Sequence, residues 1–137
     1  MENVNKFYEE CEKIRTREEM THLYDSWSTL YEKDLNYADY RGPFMVANAL
    51  AVLYPGPCEN VHVLDVAAGT GLVGEQLAKR GFIKIDALDP SEGMLAKAKE
   101  KDIYQTLICA YFDENNLILQ QYTGKHEQTS RKAKAYG

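Results

Sequence analysis

The stretch that most constrains this chain is a short apolar run that ends on a glycine-rich turn. Val61-His62-Val63-Leu64-Asp65-Val66 is rich in β-branched residues and bounded by turn residues, the pattern of a strand buried on both faces of a parallel sheet. Ala67-Ala68-Gly69-Thr70-Gly71 follows at once, and then Leu72, Val73, Leu77 and Ala78 share one face of a helix running to Arg80. The predicted order is strand, glycine loop, helix. Lys79 and Arg80 in the last turn suit the negative end of the helix dipole, and Gly81 supplies a left-handed terminator.

The unit then repeats. A second strand, Ile83 to Leu88, ends in Asp89, and Pro90-Ser91 opens a helix that turns Met94, Leu95 and Ala98 inward. A third strand is predicted from Thr106 to Tyr111. Strands and helices alternating over short links give an α/β fold, a partial parallel sheet with right-handed crossovers. Ligands of such sheets bind beyond the carboxyl ends of the strands, where both the glycine loop and Asp89 fall.

Upstream, residues 4–54 read as helical. Phe7, Cys11 and Ile14 recur at helical spacing, as do Met20, Leu23, Trp27, Leu30 and Tyr31. A break at Arg41-Gly42-Pro43 precedes an apolar helix through Val46, Ala49, Leu50 and Leu53, stopped by Pro55-Gly56-Pro57. The expected organisation is an N-terminal helical cap over 1–54, a Rossmann-like ligand-binding unit over 55–117 and a divergent, flexible tail over 118–137.

The glycines and the acids have a chemical reason to be where they are. Gly69 and Gly71 let the backbone turn tightly and approach a ligand, while the next helix offers unpaired N–H groups. Asp89 lies 18 residues beyond Gly71, a separation suited to an acid that accepts both hydroxyls of a ribose. Gly69-x-Gly71-x-x-Gly74 also satisfies the dinucleotide fingerprint, so a nicotinamide or flavin nucleotide competes with S-adenosyl-L-methionine. Asp65 separates the two. An acid at the end of the first strand opposes an approaching pyrophosphate yet favours a cationic aminoacyl group.

Val63-Leu64-Asp65-Val66-Ala67-Ala68-Gly69-Thr70-Gly71 resembles motif I of the class I S-adenosylmethionine-dependent methyltransferases, and Leu88-Asp89-Pro90-Ser91-Glu92-Gly93-Met94-Leu95 resembles their second motif. Tyr24-Asp25-Ser26-Trp27 with Tyr31, and Tyr40-Arg41-Gly42-Pro43, extend the resemblance upstream, so that it covers about residues 10–117. It implies a Rossmann-like class I fold. It also implies that Asp65, Ala67, Gly69, Thr70 and Gly71 line the methionine and ribose part of the cofactor, that Asp89 holds the ribose hydroxyls, and that Pro90, Ser91 and Met94 neighbour the adenosine.

Tyr24 and Trp27 are further candidates, because an aromatic face attracts a sulfonium; packing a helix onto the sheet is their competing role. Arg41 is a candidate partner for the methionine carboxylate, against a structural or solvated arginine. Ala67 departs from the glycine usual at its position, which lowers the affinity expected for the cofactor. The implied reaction is in-line displacement at the sulfonium methyl by an acceptor, small molecule or protein, with the enzyme mainly positioning the reactants and excluding water. The catalytic residues of such enzymes come from later loops, and none is assigned in this chain.

After Tyr111-Phe112-Asp113-Glu114-Asn115 a fourth apolar strand is expected, yet Leu117-Ile118-Leu119 gives way to a polar segment with few apolar positions after Tyr122. Three strands are thus legible, which points to a truncated product whose third strand keeps an open edge unless the tail or another chain covers it. Two functional classes follow: a methyltransferase, or a binding module that holds the cofactor without turnover.

A net charge of -5 leaves no basic surplus for a nucleic-acid partner. No run of eighteen apolar residues exists and the N-terminus lacks the core of a signal peptide, so a cytoplasmic protein away from membranes is expected. Cys11, Cys58 and Cys109 are too scattered for a disulfide framework, and His22, His62 and His126 lack ligand spacing, so no metal site is expected.

Overall fold

The computed structural model describes residues 2–37, 39–112 and 131–136. Four helices come first: α1 (Glu2–Glu12), α2 (Arg17–Trp27), α3 (Tyr31–Tyr37) and α4 (Gly42–Leu53). The break between α1 and α2 is written into the sequence at Thr16-Arg17-Glu18-Glu19. The Thr16 hydroxyl caps α2 by accepting from the Glu19 amide, while Glu19 reaches back to the Arg15 amide. Then come β1 (Val61–Val66), α5 (Leu72–Lys79), β2 (Lys84–Asp89), α6 (Glu92–Glu100), β3 (Thr106–Cys109) and β4 (Arg131–Tyr136).

All four strands are parallel, in the order β3-β2-β1-β4. This is the beginning of a doubly wound sheet, whose strand order reverses at β1 and whose ligand crevice lies beyond the carboxyl ends near that reversal. The fourth strand corrects the three-strand reading. Arg131–Tyr136 alternates basic and small residues and lacks the β-branched signal, but the free side of β1 offers a row of unpaired backbone groups that this segment takes up, from Val61 against Arg131 to Val66 against Tyr136. The rest of the expected tail, with Leu117-Ile118-Leu119, lies outside the described residues. Among the described strands, β3 is left at the edge, as anticipated.

The core explains why β1 carries so few polar residues. Val61 and Val63 face one layer with Val73, Leu77, Phe82, Ile85 and, from α4, Ala47 and Leu50. Leu64 and Val66 face the other layer with Leu88. Buried aliphatic side chains of this size contribute roughly 1.5–3 kcal/mol each, which is what makes β1 the centre of the sheet. The helix α4 therefore belongs to the sheet's own core and not to the cap. It is apolar nearly all round, and Pro43, Ala47 and Leu50 are the residues it buries, whereas Ala49 and Leu53 face outward. The other helices cluster around aromatic rings: Phe7 stacks on Trp27 at 3.9 Å between centroids, and Tyr31 meets the Trp27 edge at 4.8 Å.

The turn after α5 closes as expected, with Gly81 at φ +94° and the Phe82 amide donating to the Leu77 carbonyl. The second strand starts one residue later than predicted, because Ile83 stays exposed.

Candidate functional site

The loop after β1 is built to leave its backbone facing outward. Gly71 sits at φ +93° as the N-cap of α5, a conformation that costs an L-residue about 1–2 kcal/mol, and a Cβ there would also come within 3.0 Å of the Tyr104 ring. Ala67, at the end of β1, is at φ +56° although it is not a glycine. The position that departs from the family's glycine is therefore left-handed as well. Ala67→Gly is expected to stabilise the fold by about 0.5–1 kcal/mol, the released strain outweighing the greater freedom of glycine in the unfolded chain. A urea-denaturation midpoint that falls in the variant would show that the alanine carries no strain.

Beyond the carboxyl ends of β1, β2 and β3 lies a cavity of about 540 Å³, within the size range of small-molecule sites. The sheet contributes Ala67, Gly69, Asp89, Pro90, Ser91, Met94 and Tyr111, and the N-terminal helices close it from above with Met20, Tyr24 and Tyr31. Seven of the expected residues thus meet at one wall: Tyr24, Ala67, Gly69, Asp89, Pro90, Ser91 and Met94.

Asp89 is fixed at the floor of this cavity. Its Oδ2 accepts from the Gly69 amide at 2.9 Å and its Oδ1 from the Ser91 amide at 2.8 Å, so the acid ties the glycine loop to the start of α6. Burial raises its pKa, the two amides pull it down and the nearby Asp25 raises it further. Each oxygen keeps lone pairs for another donor. Ser91 is the N-cap of α6, its hydroxyl accepting from the Met94 amide at 3.1 Å.

The remaining expected residues lie elsewhere. Asp65 is fully buried beneath the loop and does not line the cavity; the Tyr104 hydroxyl donates to its Oδ2 at 2.7 Å. Its Oδ1 has no hydrogen-bond partner among the described residues. Burial pushes its carboxyl up to about 7, with Asp89 adding to the rise and the Tyr104 hydroxyl and Gly74 amide opposing it. Thr70 is buried and donates to Glu32 at 2.9 Å, on the side of a second, smaller cavity that also takes in Tyr31, Ala67 and Gly69. Trp27 stays in the aromatic cluster, with its indole N–H on Asp34 at 2.7 Å. Arg41 is exposed, next to Phe44, and is not brought to the cavity.

Three contacts that hold the cap in place have no counterpart in the sequence reading. The Asp25 carboxylate accepts from the Ser91 hydroxyl and, at 2.9 Å, from the Gly93 amide, clasping α2 to the start of α6. Glu32 pairs with Lys101, which also reaches Glu75 at 3.3 Å. The Thr21 and Tyr111 hydroxyls hydrogen-bond at 2.8 Å. Asp25 carried a signal, since it stands between two residues already singled out. Glu32 and Lys101 carried none, being 69 positions apart.

Among the described residues no helix is long and apolar enough to cross a membrane, and no group of three or more His, Cys, Asp or Glu side chains could hold a metal ion. The three cysteines are free thiols.

Known proteins resemble the chain over this same region. Residues 63–122 match the family described as a methyltransferase domain. Human methyltransferase-like protein 27 is 40% identical over 86 residues, which is 63% of this chain and 35% of that protein. A Geobacillus protein named as a methyltransferase is 32% identical over 100 residues, 73% of this chain and 40% of its own length. The chain thus spans roughly a third to two-fifths of these curated relatives. Among solved structures, DesVI of Streptomyces venezuelae aligns at 27% identity with a TM-score of 0.45, covering 61% of this chain and 37% of that one. Residues 63–122 thus match the methyltransferase domain family, and the parallel α/β sheet that this stretch builds is of the Rossmann-like kind.

Proposed function

We propose that the cavity above β1 and β2 binds S-adenosyl-L-methionine and that the chain serves methyl transfer from its sulfonium to an acceptor. The observation that carries this reading is Asp89: a buried carboxylate at the end of β2, tied to the glycine loop, with lone pairs left on both oxygens at the cavity wall. Such a group is suited to two neighbouring ribose hydroxyls. Bound there, the cofactor would supply an electrophilic methyl group.

The other lining residues suit the rest of the molecule. Met94 and Pro90 give apolar contact for an adenine, and Tyr24 and Tyr31 give aromatic surface that favours a sulfonium. The buried Asp65 carboxyl, with one oxygen unpartnered among the described residues, brings negative charge under the loop when ionised, which disfavours the pyrophosphate of a nicotinamide nucleotide. What the protein adds to the reaction is placement and exclusion of water by the helices clasped over the cavity.

A second reading, binding without turnover, draws on the lining itself. Among the described residues it contains no histidine, and its one carboxylate, Asp89, is engaged by two amides, so no lining group is poised as a general base. Calorimetric titration with S-adenosylhomocysteine, with NAD as control, tests the shared claim. Saturable binding of the first alone is expected; no binding by the folded chain would overturn both readings. The acceptor and a cytoplasmic location belong to the same proposal, with a protein side chain or a small metabolite as the class of acceptor.

A further inference from the structure

Tyr104 was not singled out by the sequence, yet the glycine loop is packed around it. It lies between α6 and β3, and its ring occupies the space that side chains at Gly71 and Gly74 would need. A Cβ at Gly74 would fall 2.2 Å from the Tyr104 hydroxyl oxygen. Gly74 stands inside α5, where a glycine is less favourable than an alanine and performs no capping. The closeness of the tyrosine is the reason for it. The hydroxyl ends on Asp65 Oδ2 at 2.7 Å and leaves Oδ1, the other oxygen of a fully buried carboxyl, without a partner among the described residues.

We infer that Tyr104 is a positioning residue for the methyl donor: its hydroxyl orients the Asp65 carboxylate beneath the glycine loop, so that the negative charge faces the α-ammonium end of the bound ligand. The inference rests on the cofactor assignment made above. Asp65 acts through the loop and not by contact, since Ala67 and Gly69 of the loop line the cavity and Asp65 does not. In a buried, poorly screened setting a single charge acts beyond direct contact.

The groups that face Asp65 determine its ionisation. Tyr104 and the Gly74 amide of α5 favour the charged form, Asp89 of β2 and burial oppose it, and the register partners Ala87 and Ala135 bring no charge. Burial and the Asp65 carboxyl it bonds to raise the pKa of Tyr104, with Glu75 adding to the rise, which keeps the phenol protonated as a donor.

The test is the affinity for S-adenosylhomocysteine, which carries the same α-ammonium, measured between pH 5.5 and pH 8. In the wild-type protein affinity is expected to rise with pH, with a midpoint near 7. Tyr104→Phe keeps the ring and removes the donor to the carboxylate, so the midpoint should move up by about one unit and the affinity at pH 7 fall about five-fold. Asp65→Asn keeps an acceptor for Tyr104 but does not titrate, and should flatten the profile. A variant that binds more weakly at every pH with the midpoint unmoved would show that Tyr104 only packs the loop, and would overturn the inference while leaving the cofactor assignment intact. Failure of the folded wild-type protein to bind at any pH would overturn both.

Discussion

Asp89→Ala is expected to lower the affinity for S-adenosylhomocysteine by at least about 100-fold. The two hydrogen bonds that the carboxylate would accept from the ribose are charge-assisted, worth roughly 1.5–3 kcal/mol each, and tenfold in affinity corresponds to about 1.4 kcal/mol. The loss does not stop at the ligand. The Gly69 and Ser91 amides lose their acceptor in the variant, so the loop that lines the cavity is released from the start of α6. Asp89→Asn separates the two contributions. It keeps one oxygen for an amide but loses the charge, and it should bind better than Asp89→Ala and worse than wild type. Asp89→Glu keeps the charge on a longer arm and should bind poorly for reasons of reach. Calorimetric titrations of all three, with near-ultraviolet circular dichroism to verify packing, give the ranking. An affinity within ten-fold of wild type for Asp89→Ala would remove the acid from the proposed site.

What was legible in the sequence was local. The run from Val61 to Val66, the glycines behind it and the apolar face of Met94, Leu95 and Ala98 each announce themselves within one element, and the structure buries all three of the latter. Asp89 was legible because a strand end and a fixed separation from the loop locate it. The cap was legible as a helical segment ahead of the sheet, but the contacts that fasten it were not. What clasps it to the sheet is a set of pairs between distant positions, Asp25 with Ser91 and Glu32 with Lys101, and neither periodicity nor spacing relates residues 66 and 69 positions apart. Trp27 and Tyr24 were equal candidates on composition. They part because Trp27 has its indole N–H satisfied by Asp34 inside the aromatic cluster, whereas Tyr24 lies one helical step away at the cavity wall. Arg41 failed for a similar reason, since a backbone break at Gly42-Pro43 begins α4 there and leaves the side chain outside. The fourth strand was illegible because its pairing is supplied by β1 and not by its own side-chain pattern.

The burial of Asp65 sets a stability cost against the binding role proposed for it, and this cost has a measurable consequence. Its carboxyl has no solvent exposure, and burial pushes it up to about 7 from the ordinary value of 3.8. The unfolded chain gives up this proton near pH 4, whereas the folded protein holds it until about pH 7. Across that window the folded state binds more protons, so stability falls as pH rises and levels off above about 7. A shift of about three units corresponds to a ceiling of about 4 kcal/mol. Asp65→Asn abolishes this dependence. The amide retains an acceptor for Tyr104 but brings an N–H₂ group with no evident partner, a burial cost of about 1–3 kcal/mol that is present at every pH. The variant should therefore be slightly less stable than wild type at pH 4.5 and more stable, by about 1–3 kcal/mol, at pH 8. The same change should weaken S-adenosylhomocysteine at pH 8 by about ten-fold, because the charge under the loop is lost. Urea-denaturation midpoints at the two pH values, together with one titration at pH 8, decide the matter. Parallel stability curves for the two proteins would mean that Asp65 does not change charge in this range. A crossing of the curves without loss of affinity would mean that the buried charge is a cost with no ligand to justify it.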